Sequence, residues 1–191
     1  MKKYQIIYAD PPWRYDMGKD KGKWLQGVAD KHYAVMNNND ICNLGVKEIA
    51  DKDCILFLWA TFPKLQEALD VIKAWGFEYK TIGFTWIKTR KDGGIRKDGV
   101  GWYTMSNAEV CLIGKKGKIK RQSTGISQII LSPRVRHSEK PQEVRDKIVK
   151  LMGDLPRIEL FARKTQNLFG SNLDGWDVWG NEVESDIILT P

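Results

Sequence analysis

An apolar run from Tyr4 to Tyr8 leads into Asp10-Pro11-Pro12-Trp13, and this junction constrains the chain more than any other stretch. The run has the length and composition of a short buried strand. Two consecutive prolines fix φ and remove two N–H donors, so no sheet ladder continues past Asp10. The fold must therefore place a carboxylate at a strand end, followed by a stiff turn and a large aromatic ring. That order suits the binding of an exocyclic amine on a flat heterocycle. Asp10 can accept one N–H and the Pro11 carbonyl the other, while Trp13 can stack on the ring face for ~1–3 kcal/mol. An amine held this way is drawn toward sp3 geometry, with its lone pair free to attack an electrophile. A strand-ending Asp-Pro turn beside a core tryptophan would use the same four residues, so the motif alone leaves both readings open.

Downstream, the pattern alternates strands and helices. Asp53 to Thr61 reads as a strand buried on both faces, Tyr79 to Lys88 as a third, with a helix from Pro63 to Gly76 between them. Leu65, Ala68, Leu69, Ile72 and Trp75 recur on one face of that helix, which makes Trp75 core. Strand, helix, strand at this spacing predicts a βαβ unit of a parallel sheet. Further strands are expected at Glu109–Lys115, Ile129–Leu131, Arg157–Phe161 and Trp176–Asn181, with helices at Asn39–Ile49 and Pro141–Met152. No linker, internal repeat or low-complexity tract interrupts residues 1–184, which read as one domain, and residues 185–191 read as a frayed tail.

Two stretches stand apart as long basic loops. Arg14 to Lys31 carries Arg14, Lys19, Lys21, Lys23 and Lys31 interleaved with Tyr15 and Trp24; Thr89 to Tyr103 carries Arg90, Lys91, Arg96 and Lys97 and ends in Gly101-Trp102-Tyr103. Cations mixed with aromatic rings are what a nucleic-acid strand requires, though a solvated loop or a lid has the same composition. The net charge of +7 carries the sign needed to displace counterions from phosphates. Three cysteines, Cys42, Cys54 and Cys111, lack zinc or disulfide spacing, so no metal site is expected. No apolar run approaches the ~20 residues that span a bilayer and no signal-peptide pattern opens the chain, which places the expected setting in the cytoplasm.

Seven stretches in a fixed order carry a resemblance. They are Asp10-Pro11-Pro12-Trp13, Leu56-Phe57-Leu58-Trp59-Ala60-Thr61, Trp86-Ile87-Lys88-Thr89, Glu109-Val110-Cys111-Leu112-Ile113-Gly114, His137-Ser138-Glu139-Lys140-Pro141, Ile158-Glu159-Leu160-Phe161-Ala162-Arg163 and Gly175-Trp176-Asp177-Val178-Trp179-Gly180-Asn181-Glu182. From Tyr4 to Glu182 the chain is similar to the MT-A70 family of adenine-N6 methyltransferases. The resemblance implies an α/β, Rossmann-like fold dependent on S-adenosyl-L-methionine, with a mostly parallel sheet, helices on both faces, and the catalytic motif permuted ahead of the cofactor-binding one. His32-Tyr33 followed by Met36 resembles the family's Tyr-x-x-Met segment, in a loop that the family closes over its substrate.

By the same resemblance, Asp10, Pro11, Pro12 and Trp13 are the catalytic residues. Asp10 lies between methyl donor and target, Lys140 near the donor's methionine carboxylate, Glu159, Phe161 and Arg163 around its ribose, and Asn181 and Glu182 near adenine and ribose. Without the resemblance, Glu159 reads as a salt-bridge partner of Arg163 and Asn181 as a strand cap. After Arg163 the chain departs from the family pattern, leaving the ribose contacts in 164–175 open. The expected target is DNA adenine, in a bacterial cell or phage-infected host; RNA adenine is the alternative, and a non-catalytic nucleic-acid-binding subunit the third. Candidate nucleic-acid contacts are Arg14, Tyr15, Lys23, Trp24, Tyr33, Arg90, Arg96 and Trp102. Homo- or hetero-oligomers are both compatible with this reading.

Overall fold

A computed structural model describes residues 2–15, 35–97, 99, 101, 103–134, 139–163 and 175–190. In chain order the strands are β1 (Tyr4–Ala9), β2 (Ala50–Ala60), β3 (Glu78–Thr89), β4 (Ala108–Lys116), β5 (Ile129–Pro133), β6 (Arg157–Leu160) and β7 (Asp177–Trp179). The helices are α1 (Asn38–Asn43), α2 (Val46–Ile49), α3 (Leu65–Ala74) and α4 (Glu143–Met152), with a short 3-10 turn at Phe62–Lys64. All seven strands join one sheet in the order β5-β3-β4-β2-β1-β6-β7.

β1 sits inside this sheet, parallel to β2 on one side and β6 on the other. Its composition explains the position. Ile7 and Ala9 face one core while Ile6 and Tyr8 face the other, so the strand is apolar on both faces. The first core is closed by α1, α2 and α3, through Ile41, Val46, Ile49, Ala68, Val71 and Ile72. The second is closed by α4, through Val144, Ile148 and Met152. The result is an α/β, mostly parallel sheet with helices on both faces, as expected.

Several details differ from expectation. β2 and β3 run the same way, but they are not neighbours: β4 inserts between them, antiparallel to both. The helix between them therefore joins parallel strands across an interposed third, not an adjacent pair. Local pairing explains the difference, since β3 and β4 are consecutive and form a long hairpin that spacing alone does not reveal. The helix expected over Asn39–Ile49 is two helices, broken at Leu44 and Gly45, where the Gly45 N–H donates to the Thr190 carbonyl at 3.1 Å. That bond belongs to the C-terminal tail, which docks instead of fraying. Leu189 is 8% exposed in the first core, and Asp186 exchanges backbone and side-chain bonds with Val178. On α3, Leu65 is exposed and Val71 takes a place in the core.

Candidate active site

Where β1 ends, the proline pair turns the chain and leaves Asp10 at the C-terminal edge of the sheet. The Lys140 ammonium, three residues ahead of α4, lies 2.7 Å from each Asp10 carboxylate oxygen. It also stands 3.3 Å from Glu109 Oε2, near the start of β4. Glu109 in turn reaches Lys88, near the end of β3, at 2.6 Å. Because β4 runs against β2 and β3, its first residues lie at the same end of the sheet as the last residues of β1, β2 and β3. Four side chains of alternating charge thus form one chain along the sheet edge.

Burial and pairing set their protonation. Burial pushes the Asp10 carboxyl above its ordinary range, and Lys140 offsets only part of that. Burial would raise Glu109 as well, but with a lysine on each side it is held below the usual carboxylate value. Lys140 loses hydration yet faces two carboxylates, and these lift its value above that of a free lysine. The acid at the strand end is the more easily protonated of the two carboxylates. An ammonium has three N–H groups, and here three oxygens lie within reach of them.

Tryptophans support this chain from below. Lys140 Nζ lies 5.5 Å over the Trp59 ring, and Trp59 Nε1–H donates to the Tyr8 hydroxyl at 2.7 Å. The Trp59 carbonyl accepts from Trp13 Nε1 at 3.1 Å. Trp13 itself is 6% exposed and belongs to the first core, so its ring is turned inward and is not presented for stacking. Burying a large ring with its one donor satisfied outweighs exposing it. The Pro11 carbonyl accepts the Trp13 N–H at 2.9 Å, which leaves it one lone pair for a second donor. Met36 bonds back to Pro12 and Arg14, so the segment after the prolines is tied to the chain just ahead of α1.

The expected cofactor residues fall into two groups. Phe161 lies where β6 ends, beside Asp10, and Ala162 and Gly180, which were not among the expected residues, lie with it. Phe161 takes a left-handed backbone, φ 62°, and packs edge-on against Trp179 with ring centroids 5.3 Å apart. An aromatic residue in that conformation is strained and re-aims the chain at the strand end. A Cβ on Gly180 would stand 2.4 Å from the Ala162 carbonyl oxygen, so this cradle admits only glycine. Arg163 is close enough to help stabilise the Asp10 carboxylate. Asn181 and Glu182 are exposed just beyond β7. Glu159 lies apart from these, on the opposite sheet face from Ile158 and Leu160. Both its oxygens are held by Arg145 of α4, at 2.5 and 2.6 Å, rather than by Arg163. Arg145 also lies 5.7 Å over the Tyr8 ring.

Next to Lys88 and Glu109 opens a cleft of about 390 Å³, lined by Tyr15, Thr61, Phe62, Tyr103, Met105 and Ser106 among others. Tyr103 is fully exposed, Phe62 is 53% exposed, and the Tyr15 hydroxyl is 2.5 Å from Thr61 Oγ1. Among the expected nucleic-acid contacts that are described residues, Tyr15 alone lines this cleft. Arg14 and Arg96 lie in the segments that flank it, and Arg90 is paired with Asp92 of its own turn. Lys23, Trp24, Tyr33 and Trp102 lie outside the described residues.

The MT-A70 family model matches residues 4–182. The chain belongs to the MT-A70 family. Type II methyltransferase M.MunI from Mycoplasma sp is 37% identical over 206 residues, covering 100% of this chain and 82% of that protein. The N(6)-adenosine-methyltransferase catalytic subunit METTL3 of Homo sapiens is 27% identical over 192 residues, which is 99% of this chain but 30% of that protein. The non-catalytic subunit MTB of Arabidopsis thaliana is 32% identical over 127 residues, 64% of this chain and 15% of that protein. The MT-A70 chain therefore spans most of the first relative and under a third of the other two.

Within this MT-A70 domain, Lys88 and Glu109 lie inside motif stretches, yet the sequence by itself gives them no role. The signal available was a charged residue at the end of an otherwise apolar strand, a placement that burial penalises unless a partner waits there. Arg145 carried none, because it sits one position off the apolar stripe of α4 and looks solvent-facing.

Proposed function

We propose that this chain methylates the exocyclic N6 amine of adenine in DNA, with S-adenosyl-L-methionine as donor. It is a methyltransferase of the MT-A70 family. One observation carries the assignment to this site: the half-buried Asp10 carboxylate stands at a parallel strand end, joined through Lys140 to the Glu109 that lines an aromatic cleft, and near a glycine-only cradle. The relative of which this chain covers 82% is a type II methyltransferase, which favours DNA. RNA is the second reading, carried by the weaker likeness to METTL3. The likeness to a non-catalytic subunit weighs less, since this chain has Asp10 and both prolines in place.

The residues present fit the donor. Asp10, Lys140, Phe161, Arg163 and Asn181 gather at or near the ends of β1, β6 and β7, where doubly wound sheets place ligands. Lys140 would take the methionine carboxylate by exchanging one of its carboxylate partners, and backbone groups at Phe161 and Asn181 would meet ribose and adenine. The donor supplies an electrophilic methyl group. Everything else falls to this chain. Asp10 accepts one N–H of the target amine and the free lone pair of the Pro11 carbonyl accepts the other, which points the nitrogen lone pair away from both. Positive charge then develops on nitrogen against a preorganised carboxylate. Phe62 and Tyr103 flank a flat ring in the cleft, and a duplex target must flip its adenine to reach it, at a few kcal/mol. A cytoplasmic setting suits such an enzyme, and among the described residues no helix is long and apolar enough to cross a membrane.

The test is methyl transfer from labelled S-adenosyl-L-methionine to matched DNA and RNA, with the product nucleoside identified by mass spectrometry. N6-methyldeoxyadenosine from DNA alone is the expected result. Label only on RNA would move the assignment to the second reading, and label on neither, with donor bound, would move it to the third.

A further inference from the structure

The far edge of the sheet carries a feature that the catalytic edge does not use. On β4, Glu109, Cys111, Ile113 and Lys115 alternate onto one face. Glu109 is at the catalytic end, and Lys115 lies six residues further on, about 20 Å away at ~3.3 Å per residue. Past Lys115 come Lys116, Lys118, Lys120 and Arg121. Lys52, at the start of β2, and Lys150, in the last turn of α4, end at the same edge. Lys52, Lys118, Lys120, Arg121 and Lys150 are exposed.

Three contacts make this a displayed surface instead of a loose charged run. Gly117 has φ 66°, and a Cβ there would stand 2.1 Å from the Lys52 carbonyl oxygen, so the turn is drawn tightly onto β2. The Lys118 N–H donates to Asp53 Oδ1 at 2.5 Å. On the other side, the N–H groups of Gln122 and Ser123 both reach the Leu151 carbonyl, at 2.8 and 3.2 Å, which ties the segment to the end of α4. The nearby acids each have a partner other than these side chains. Asp53 holds the turn, Asp51 accepts the Asp53 N–H, Glu78 pairs with Lys80, and Asp154 pairs with Arg157. Among the described residues, Lys52, Lys115, Lys118, Lys120, Arg121 and Lys150 have no acidic partner.

We infer that this edge is a second phosphate-binding surface, which grips the nucleic-acid backbone away from the methylated base. The inference rests on the nucleic-acid reading above and adds to it a footprint. Closely spaced unpaired cations, held by backbone contacts, match a polyanion of regular charge spacing and displace its counterions without reading sequence. About 20 Å corresponds to roughly six base pairs of rise at ~3.4 Å each, so a duplex touching both surfaces extends at least that far to one side of the target adenine.

The experiment compares wild type with the Lys118→Glu/Lys120→Glu/Arg121→Glu variant on a duplex of about 40 base pairs and one of about ten with its one adenine target at the centre, too short to reach the second surface, across a salt series. These side chains are exposed, so the fold is expected to survive, and melting temperature checks it. On the long duplex the slope of log affinity against log salt is expected to fall by about three, at ~0.9 for each phosphate no longer neutralised. On the short duplex affinity and turnover are expected to be unchanged. Equal slopes on the long duplex, with turnover intact, overturn the second surface and leave the active-site reading standing. Failure of the wild type to bind or methylate any nucleic acid overturns both.

Discussion

At the scale of single residues, the role proposed for Asp10 ties the chemistry to stability. Burial lifts its carboxyl above the usual aspartate value of about 3.9, with Lys140 offsetting part of the rise. A raised value in the folded state favours the protonated form. Its contribution to stability is full below the unfolded value and is lost as pH climbs through the folded one. At neutral pH the ionised carboxylate is therefore a burden to the fold that the chemistry requires. Asp10→Asn is expected to lower turnover by about 10²–10³-fold. An Asn variant of ordinary turnover would remove Asp10 from its role. The acid limb of the wild-type rate profile is expected above the ordinary aspartate range, because Glu109 stays ionised across that window. A limb at or below that range would count against it. Tyr103 offers a cleaner separation, since its ring is fully exposed at the cleft. Tyr103→Ala is expected to weaken nucleic-acid binding by about 5–150-fold, equivalent to ~1–3 kcal/mol of stacking, with melting unchanged. Unaltered affinity would show that the ring meets no base.

At the scale of elements, the pair between Arg145 and Glu159 fastens α4 to β6, in the first turn of the helix that Lys140 leads into. A buried pair adds little net stability, yet removing one partner strands the other. Arg145→Met alone is expected to lower unfolding free energy by about 3–5 kcal/mol, and Arg145→Met/Glu159→Met to recover most of it. Denaturant titration of both variants decides this; a double variant no better than the single would deny the pairing its importance. The same pair marks how far the sequence could be read. Strands announced themselves by apolar runs, and Asp10 and Lys140 by their motifs, because local composition determines both. Arg145 did not, since its partner is fourteen residues away on another element and only the packed fold brings them together. The inward turn of Trp13 was hidden for a similar reason: its partner is the carbonyl of Trp59, forty-six residues further on. The docked tail depended on Gly45, whose N–H faces Thr190 only once α1 and α2 have separated.

At the scale of the whole molecule, the sheet has two unlike edges, one carrying paired charges and a cleft, the other unpaired cations. The reversed direction of β4 has a consequence for how such a protein can change over generations. Its hairpin with β3 leaves and re-enters the sheet at the catalytic edge, so residues 90–107 begin and end within the site they border. A connection anchored at both ends lengthens cheaply, at about 0.6 kcal/mol for each doubling. Inserting a few glycines and serines at the exposed Asp92–Gly93 turn is expected to leave the melting temperature within a few degrees of wild type; a collapse in melting would contradict it. The lining that Gly101 and residues 103–106 give the cleft can therefore change by insertion and deletion at one hairpin while the strands that hold Asp10 and Lys140 stay as they are, without the protein having to refold around the change.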